Sequence, residues 1–214
     1  MPSPDARRLL LVGLLGIVSS GCRDKDVPPP PPATAESPAA APSTKRVVGP
    51  LSDADAKALK TMNDRMKSYL EIHTKLEAGL PELPKDPSPE QIDKNQRLFE
   101  QKMRAARASA KRGEIFTPEA ETVIKRLLAA VFTTSQGKEL MASIMDEYPA
   151  GLKLTVNGRY PDAIPVSTVP PEILQTLPKL PEDMEYRFIG RHMILLDTHA
   201  HVIADLIENA LPKL

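Results

Sequence analysis

The sequence predicts an α+β domain, a bundle of about four helices followed by a small antiparallel β-meander, and three observations predict it. Between residues 52 and 148, apolar side chains recur at three- and four-residue steps behind helix-capping signals. From about residue 150 the apolar period falls to two and prolines punctuate the chain. Residues 1–50 stand apart from both patterns, so the domain is assigned to residues 51–214, with a helical half at 51–149 and a sheet-containing half at 150–214. That length suits one domain.

The first helix is predicted to open at Ser52, with Asp55 in the reciprocal capping-box position. Leu59, Met62, Met66, Tyr69, His73, Leu76 and Leu80 then line one face, and Gly79 with Pro81 stop it. A second helix opens at Ser88-Pro89-Glu90-Gln91, a serine cap with proline in the first turn and glutamine three residues after the cap. Ile92, Phe99, Met103, Ala106 and Ala110 form its expected buried stripe, and Gly113 its end. Thr117-Pro118-Glu119 starts a third helix, with Val123, Ile124, Leu127, Leu128 and Val131 inward. A fourth, near 137–148, carries Leu140, Met141, Ile144, Met145 and Tyr148 before Pro149.

Beyond it, Leu152, Leu154 and Val156 alternate with polar residues up to the turn signal Asn157-Gly158. One short helix fits between Pro171 and Leu177. Glu185 to Asp197 reads as a hairpin about Gly190-Arg191. Val202 to Ile207 fits a third strand, and residues 202–210 also fit a helical period; the meander is the preferred reading. Tyr186-Arg187 three before Gly190, then Leu195-Leu196-Asp197 and Ile203 to Ile207, resemble the closing meander of small bacterial envelope proteins. That pattern is short and transfers no activity.

The N-terminus carries an address. Arg7 and Arg8 precede the apolar run Leu9 to Val18, the n- and h-regions of a secretory signal. Ten helical residues rise only about 15 Å against a hydrocarbon core of roughly 30 Å, too short to anchor by spanning. The run closes on Ser19-Ser20-Gly21-Cys22, and Cys22 is the one cysteine of the chain. Residues 7–22 resemble the lipobox of bacterial lipoproteins. The resemblance implies cleavage after residue 21, a diacylglycerol on the Cys22 thiol and an acylated new amino terminus. It also implies outer-membrane sorting, because Arg23 stands where an inner-membrane retention signal has Asp. Residues 22–50 are then the lipidated cysteine and a linker. Eight prolines fall in residues 23–50, five of them consecutive at Pro28 to Pro32, a composition expected to stay disordered and extended. At about 3.1 Å per residue such a linker reaches at most roughly 90 Å.

Composition removes several functions. Lys+Arg and Asp+Glu number 28 each among the 214 residues, so a basic nucleic-acid binder is excluded. A lone cysteine excludes an intramolecular disulfide and any cysteine-built zinc or iron–sulfur site. No phosphate loop, G-x-S-x-G elbow or H-E-x-x-H helix occurs. No pair of acids stands out as a glycosidase couple, and tryptophan is absent. The expectation is therefore a lipid-anchored envelope protein without a cofactor, a non-catalytic interaction or scaffolding module with its domain in the periplasm. Its expected contacts are the membrane through Cys22 and an envelope protein or anionic polymer.

Three features bear chemistry. Asp197, His199 and His201 would share one face of an extended chain, with His192 nearby, and two imidazoles with a carboxylate suit zinc or iron. A metal site built on these three is the alternative function, against a reading of the stretch as a solvated turn. His73 falls on the buried stripe of the first helix and is expected to be a boundary residue whose tip reaches a partner. On the second helix, Arg97, Arg104, Arg107 and Lys111 cluster in one sector, either to meet an anionic polymer or headgroup or as a salt-bridged face.

Overall fold

Capping chemistry sets where the helices begin. A computed structural model describes residues 50–146, 152–162, 164 and 169–213. The chain separates into two units, Met1–Pro42 and Ser43–Leu214, and the described residues all lie in the second. The expectations for residues 1–49, including Cys22, lie outside the described residues. Helix α1 (Asp53–Glu77) opens on a complete capping box between Ser52 and Asp55. Helix α2 (Pro89–Ala106) opens on a second one, between Ser88 and Gln91. Thr117 caps α3 (Pro118–Phe132) by accepting from the Ala120 N–H. Helix α4 (Ser135–Asp146) follows after two residues, and Gly137 makes that approach possible. A Cβ there would sit 2.1 Å from the Val131 carbonyl oxygen, a backbone atom that cannot step aside. The single turn α5 (Pro171–Leu174) precedes the sheet.

Helix α2 stops earlier than its apolar period suggested. Ala106 is exposed, and the buried residue after it is Arg107. The Arg107 guanidinium stacks 4.7 Å from the Tyr69 ring and donates to the Ala204 carbonyl at 3.2 Å. Ile92, expected in the core, is 49% exposed at the N-terminal end of α2. Helix α4 begins two residues before its expected start, Met145 is exposed, and Tyr148 and Pro149 lie outside the described residues.

Strands β1 (Met184–Ile189), β2 (His192–Asp197) and β3 (Val202–Ile207) form the expected antiparallel meander, in spatial order β1-β2-β3. Gly190, at φ +55°, opens the two-residue β1–β2 turn, where twist-matched hairpins favour glycine. Residues 202–207 form a strand because all six are buried, on two faces. Tyr186, Met193, Leu195, Val202 and Ile207 meet the helices. Ile189, Ile194, Leu196, Ile203 and Leu206 pack on Tyr160 and Ile164 on the other side. Leu152, Leu154 and Val156 cover that second face without forming a strand. Their segment instead turns at Asn157 and binds the edge of β3, the Asn157 N–H reaching Ile203 O at 2.8 Å and the Ile203 N–H reaching Gly158 O at 2.8 Å. Among the described residues, no helix is long and apolar enough to cross a membrane.

Candidate metal centre

Tyr69, His73 and Glu77 follow one another at four-residue steps on α1, so they stack along a single face. That face lies over the end of β2, whose last residue, Asp197, is fully buried. A buried carboxylate is costly unless its lone pairs are filled, and here they are. Asp197 Oδ2 accepts from the Tyr69 hydroxyl at 2.7 Å and bonds His73 Nδ1 at 2.7 Å, while Oδ1 accepts from the Ala200 N–H at 2.8 Å.

These bonds determine what His73 can do. An ionised carboxylate only accepts, so in the neutral ring Nδ1 carries the proton and Nε2 keeps its lone pair. Nε2 is buried and has no hydrogen-bond partner. Glu77 Oε2 lies 3.6 Å from it and Asp183 Oδ2 3.8 Å from it. Burial disfavours the charged imidazole, but the bond to Asp197 and the charges of Asp197, Asp183 and Glu77 outweigh it and raise the His73 pKa. Burial, the Asp197 charge and the hydrogen bond to it push the Tyr69 phenol well up, so it remains a neutral donor.

His199 completes the cluster from the β2–β3 turn. Its Nδ1 lies 2.9 Å from Glu77 Oε1. Phe99 of α2 sets the edges of both imidazoles, with centroids 4.9 Å from His73 and 5.0 Å from His199. One ligand atom each from His73, Glu77 and His199 therefore falls within 4.8 Å of the others. Two imidazoles and a carboxylate are a donor set for zinc or another borderline divalent ion. The arrangement behind His73 matches the outer shell such sites use, a carboxylate bonded to the ring nitrogen facing away from the metal.

The triad of the alternative reading, Asp197, His199 and His201, does not converge. Strand β2 ends at Asp197, and residues 198–201 turn instead of continuing extended, with His201 at φ +57°. That turn breaks the period of two that would have put three side chains on one face. Asp197 becomes the buried acceptor behind His73, and His199 swings to α1. His201 faces the opposite cluster, its ring 5.5 Å from Tyr160 and its Nε2 3.5 Å from Asp162. His192 sits at the far end of β2, where its Nδ1 accepts from the Asn209 N–H at 3.4 Å. The arginines of the basic stripe have acidic partners: Arg97 with Asp93 at 2.8 Å, Arg104 with Glu100 at 3.1 Å and Arg107 with Glu114 at 3.1 Å.

Sequence reasoning missed Glu77 and Asp183; it gave His73 as a boundary residue whose tip reaches a partner, and that partner is Asp197. One signal was readable: His73 and Glu77 are four apart on a predicted helix, the spacing that puts two ligands on one face. Their meeting with a turn more than a hundred residues away has no local trace. No protein-family model, curated protein or solved structure matches the chain.

Proposed function

We propose that the chain is a lipid-anchored cell-envelope protein whose domain is a non-catalytic module that binds a divalent transition metal, zinc by its donor set, through His73, Glu77 and His199. One observation carries the metal reading. His73 Nε2 is 1% exposed as part of its residue, has no hydrogen-bond partner, and is oriented by Asp197 toward a carboxylate and a second imidazole. Leaving a buried polar atom unpaired costs about 1–3 kcal/mol, and a metal ion removes that cost by taking the lone pair. The anchor reading is supported by the basic, apolar and small residues that end at Cys22.

Thermal unfolding of the purified chain tests the metal function. An ion that binds only the folded state adds RT ln(1 + [L]/Kd), about 2.7 kcal/mol at roughly a hundredfold excess over Kd. Zinc is expected to raise the melting temperature, and Glu77→Gln and His199→Ala are expected to remove the rise. Both side chains are about 40% exposed, so neither change opens the core. A melting temperature indifferent to zinc overturns the reading.

A further inference from the structure

The geometry points to Asp183 as a fourth ligand that closes this site, an inference that rests on the metal reading above. Zinc ligands lie about 2.0–2.1 Å from the ion, so the edges of a zinc tetrahedron are about 3.3–3.4 Å long. From His73 Nε2, Glu77 Oε2 is 3.6 Å away and Asp183 Oδ2 is 3.8 Å away, each within a few tenths of an ångström of such an edge. Asp183 therefore stands toward His73 much as Glu77 does, but its carboxylate is not among the ligand atoms that already lie within 4.8 Å of one another, so it has to swing to close the site.

The backbone at Asp183 is held where a ligand would need it. Its carbonyl accepts from the Thr198 N–H at 3.0 Å and from the Thr198 hydroxyl at 3.2 Å, which ties the residue before β1 to the turn that carries His199. The side chain itself is 48% exposed and lies 3.8 Å from His73 Nε2, so the carboxylate is free to make a short swing onto an ion. Four protein ligands leave no position for water. Closed tetrahedral sites hold structure together, and catalytic zinc sites keep one position open. With Asp183 bound, the ion would tie α1, the approach to β1 and the β2–β3 turn together, and the site would hold an ion without hydrolysing anything.

Cobalt(II) substitution and zinc titration of the full chain and of Asp183→Asn test this. The metal-free variant is expected to melt like the parent, because it is the backbone carbonyl of Asp183 that binds Thr198; Asp183→Ser is the second variant if the first does not fold. Zinc affinity of the variant is expected to fall by more than the roughly 10–100-fold that loss of an outer-shell partner costs. The cobalt form of the parent is expected to show the intense visible bands of a tetrahedral ion, unchanged by azide. In the variant, azide is expected to enter the vacated position and shift the bands. If zinc binding needs Glu77 and His199 but is the same in both Asp183 variants as in the parent, Asp183 is not a ligand and this inference falls while the metal reading stands. Azide shifting the parent's spectrum makes the site open and overturns the inference in the same way. No binding of zinc or cobalt by the parent removes the metal reading itself.

Discussion

Two aspartates at full burial on one small sheet show how differently the same group is used. Asp205 closes on backbone: Oδ2 accepts the Ile115 and Phe116 N–H groups at 2.8 and 2.9 Å, and Oδ1 accepts those of Gly113 and Leu206 at 3.0 and 2.8 Å. A bulge in the β2–β3 ladder, where Leu196 faces Ile203 but Leu195 faces Asp205, turns the carboxylate toward the chain between α2 and α3. Burial raises its pKa, and the four N–H groups oppose that rise without cancelling it. Asp205→Asn keeps the size but points an NH₂ group at two N–H donors. It is expected to cost about 2–4 kcal/mol, read by denaturant unfolding; a loss below about 1 kcal/mol would show that the loop re-forms without the carboxylate. Asp197, by contrast, spends its lone pairs mainly on the side chains of Tyr69 and His73, and so positions a ring. Both roles were beyond reach in the sequence. An Asp in a strand reads the same whether it faces solvent, backbone or a histidine, and only the partners distinguish them.

At the scale of elements, the helix starts were the most legible feature, because a cap is chemistry between residues three apart. Ser52 with Asp55, Ser88 with Gln91 and Thr117 before Pro118 all begin helices. Helix ends were harder. The apolar period of α2 ran on through Ala110 in sequence, yet the chain leaves the helix at Arg107, where the guanidinium is drawn to Tyr69 and to the Ala204 carbonyl. Those partners are tertiary, so they leave no mark on the local pattern. The cap of α1 also makes a pH prediction. The Ser52 N–H and hydroxyl, joined by Arg126 of α3 at 2.6 Å, hold the Asp55 carboxyl below the ordinary aspartate value. In the unfolded chain it titrates near pH 3.9. A folded pKa below the unfolded one means the stabilisation is present above about pH 4 and is lost as pH falls toward the folded value. Asp55→Asn is therefore expected to melt below the parent at pH 7 and to converge with it as the pH is lowered through that window. A gap that stays constant with pH would assign the effect to shape and not to charge.

For the whole molecule, the class was legible because the change of period at residue 150 marks a physical boundary: before it the chain buries one face of each helix, and after it both faces of a sheet. The candidate site was half legible. His199 was singled out from its residue type, but its partners were sought two residues away, where an unbroken strand would have put them. The turn at 198–201 sent them to α1 instead. Among the described residues the core runs from Ala58 to Leu211, and the last prediction treats anchoring and folding as separable tasks. On the lipoprotein reading proposed above, membrane attachment falls to acyl chains on Cys22. Each buried CH₂ contributes about 0.8 kcal/mol, so a single chain holds only marginally and two or more hold firmly. The parent is expected to sediment with membranes through an alkaline wash. Cys22→Ala is expected to move to the soluble fraction with the parent's melting temperature and the same zinc-dependent rise, since the described core and the proposed ligands all lie at or beyond Ala58. A variant that stays with the membranes would place the attachment elsewhere in the chain, and one that loses the zinc response would show that residue 22 reaches the domain.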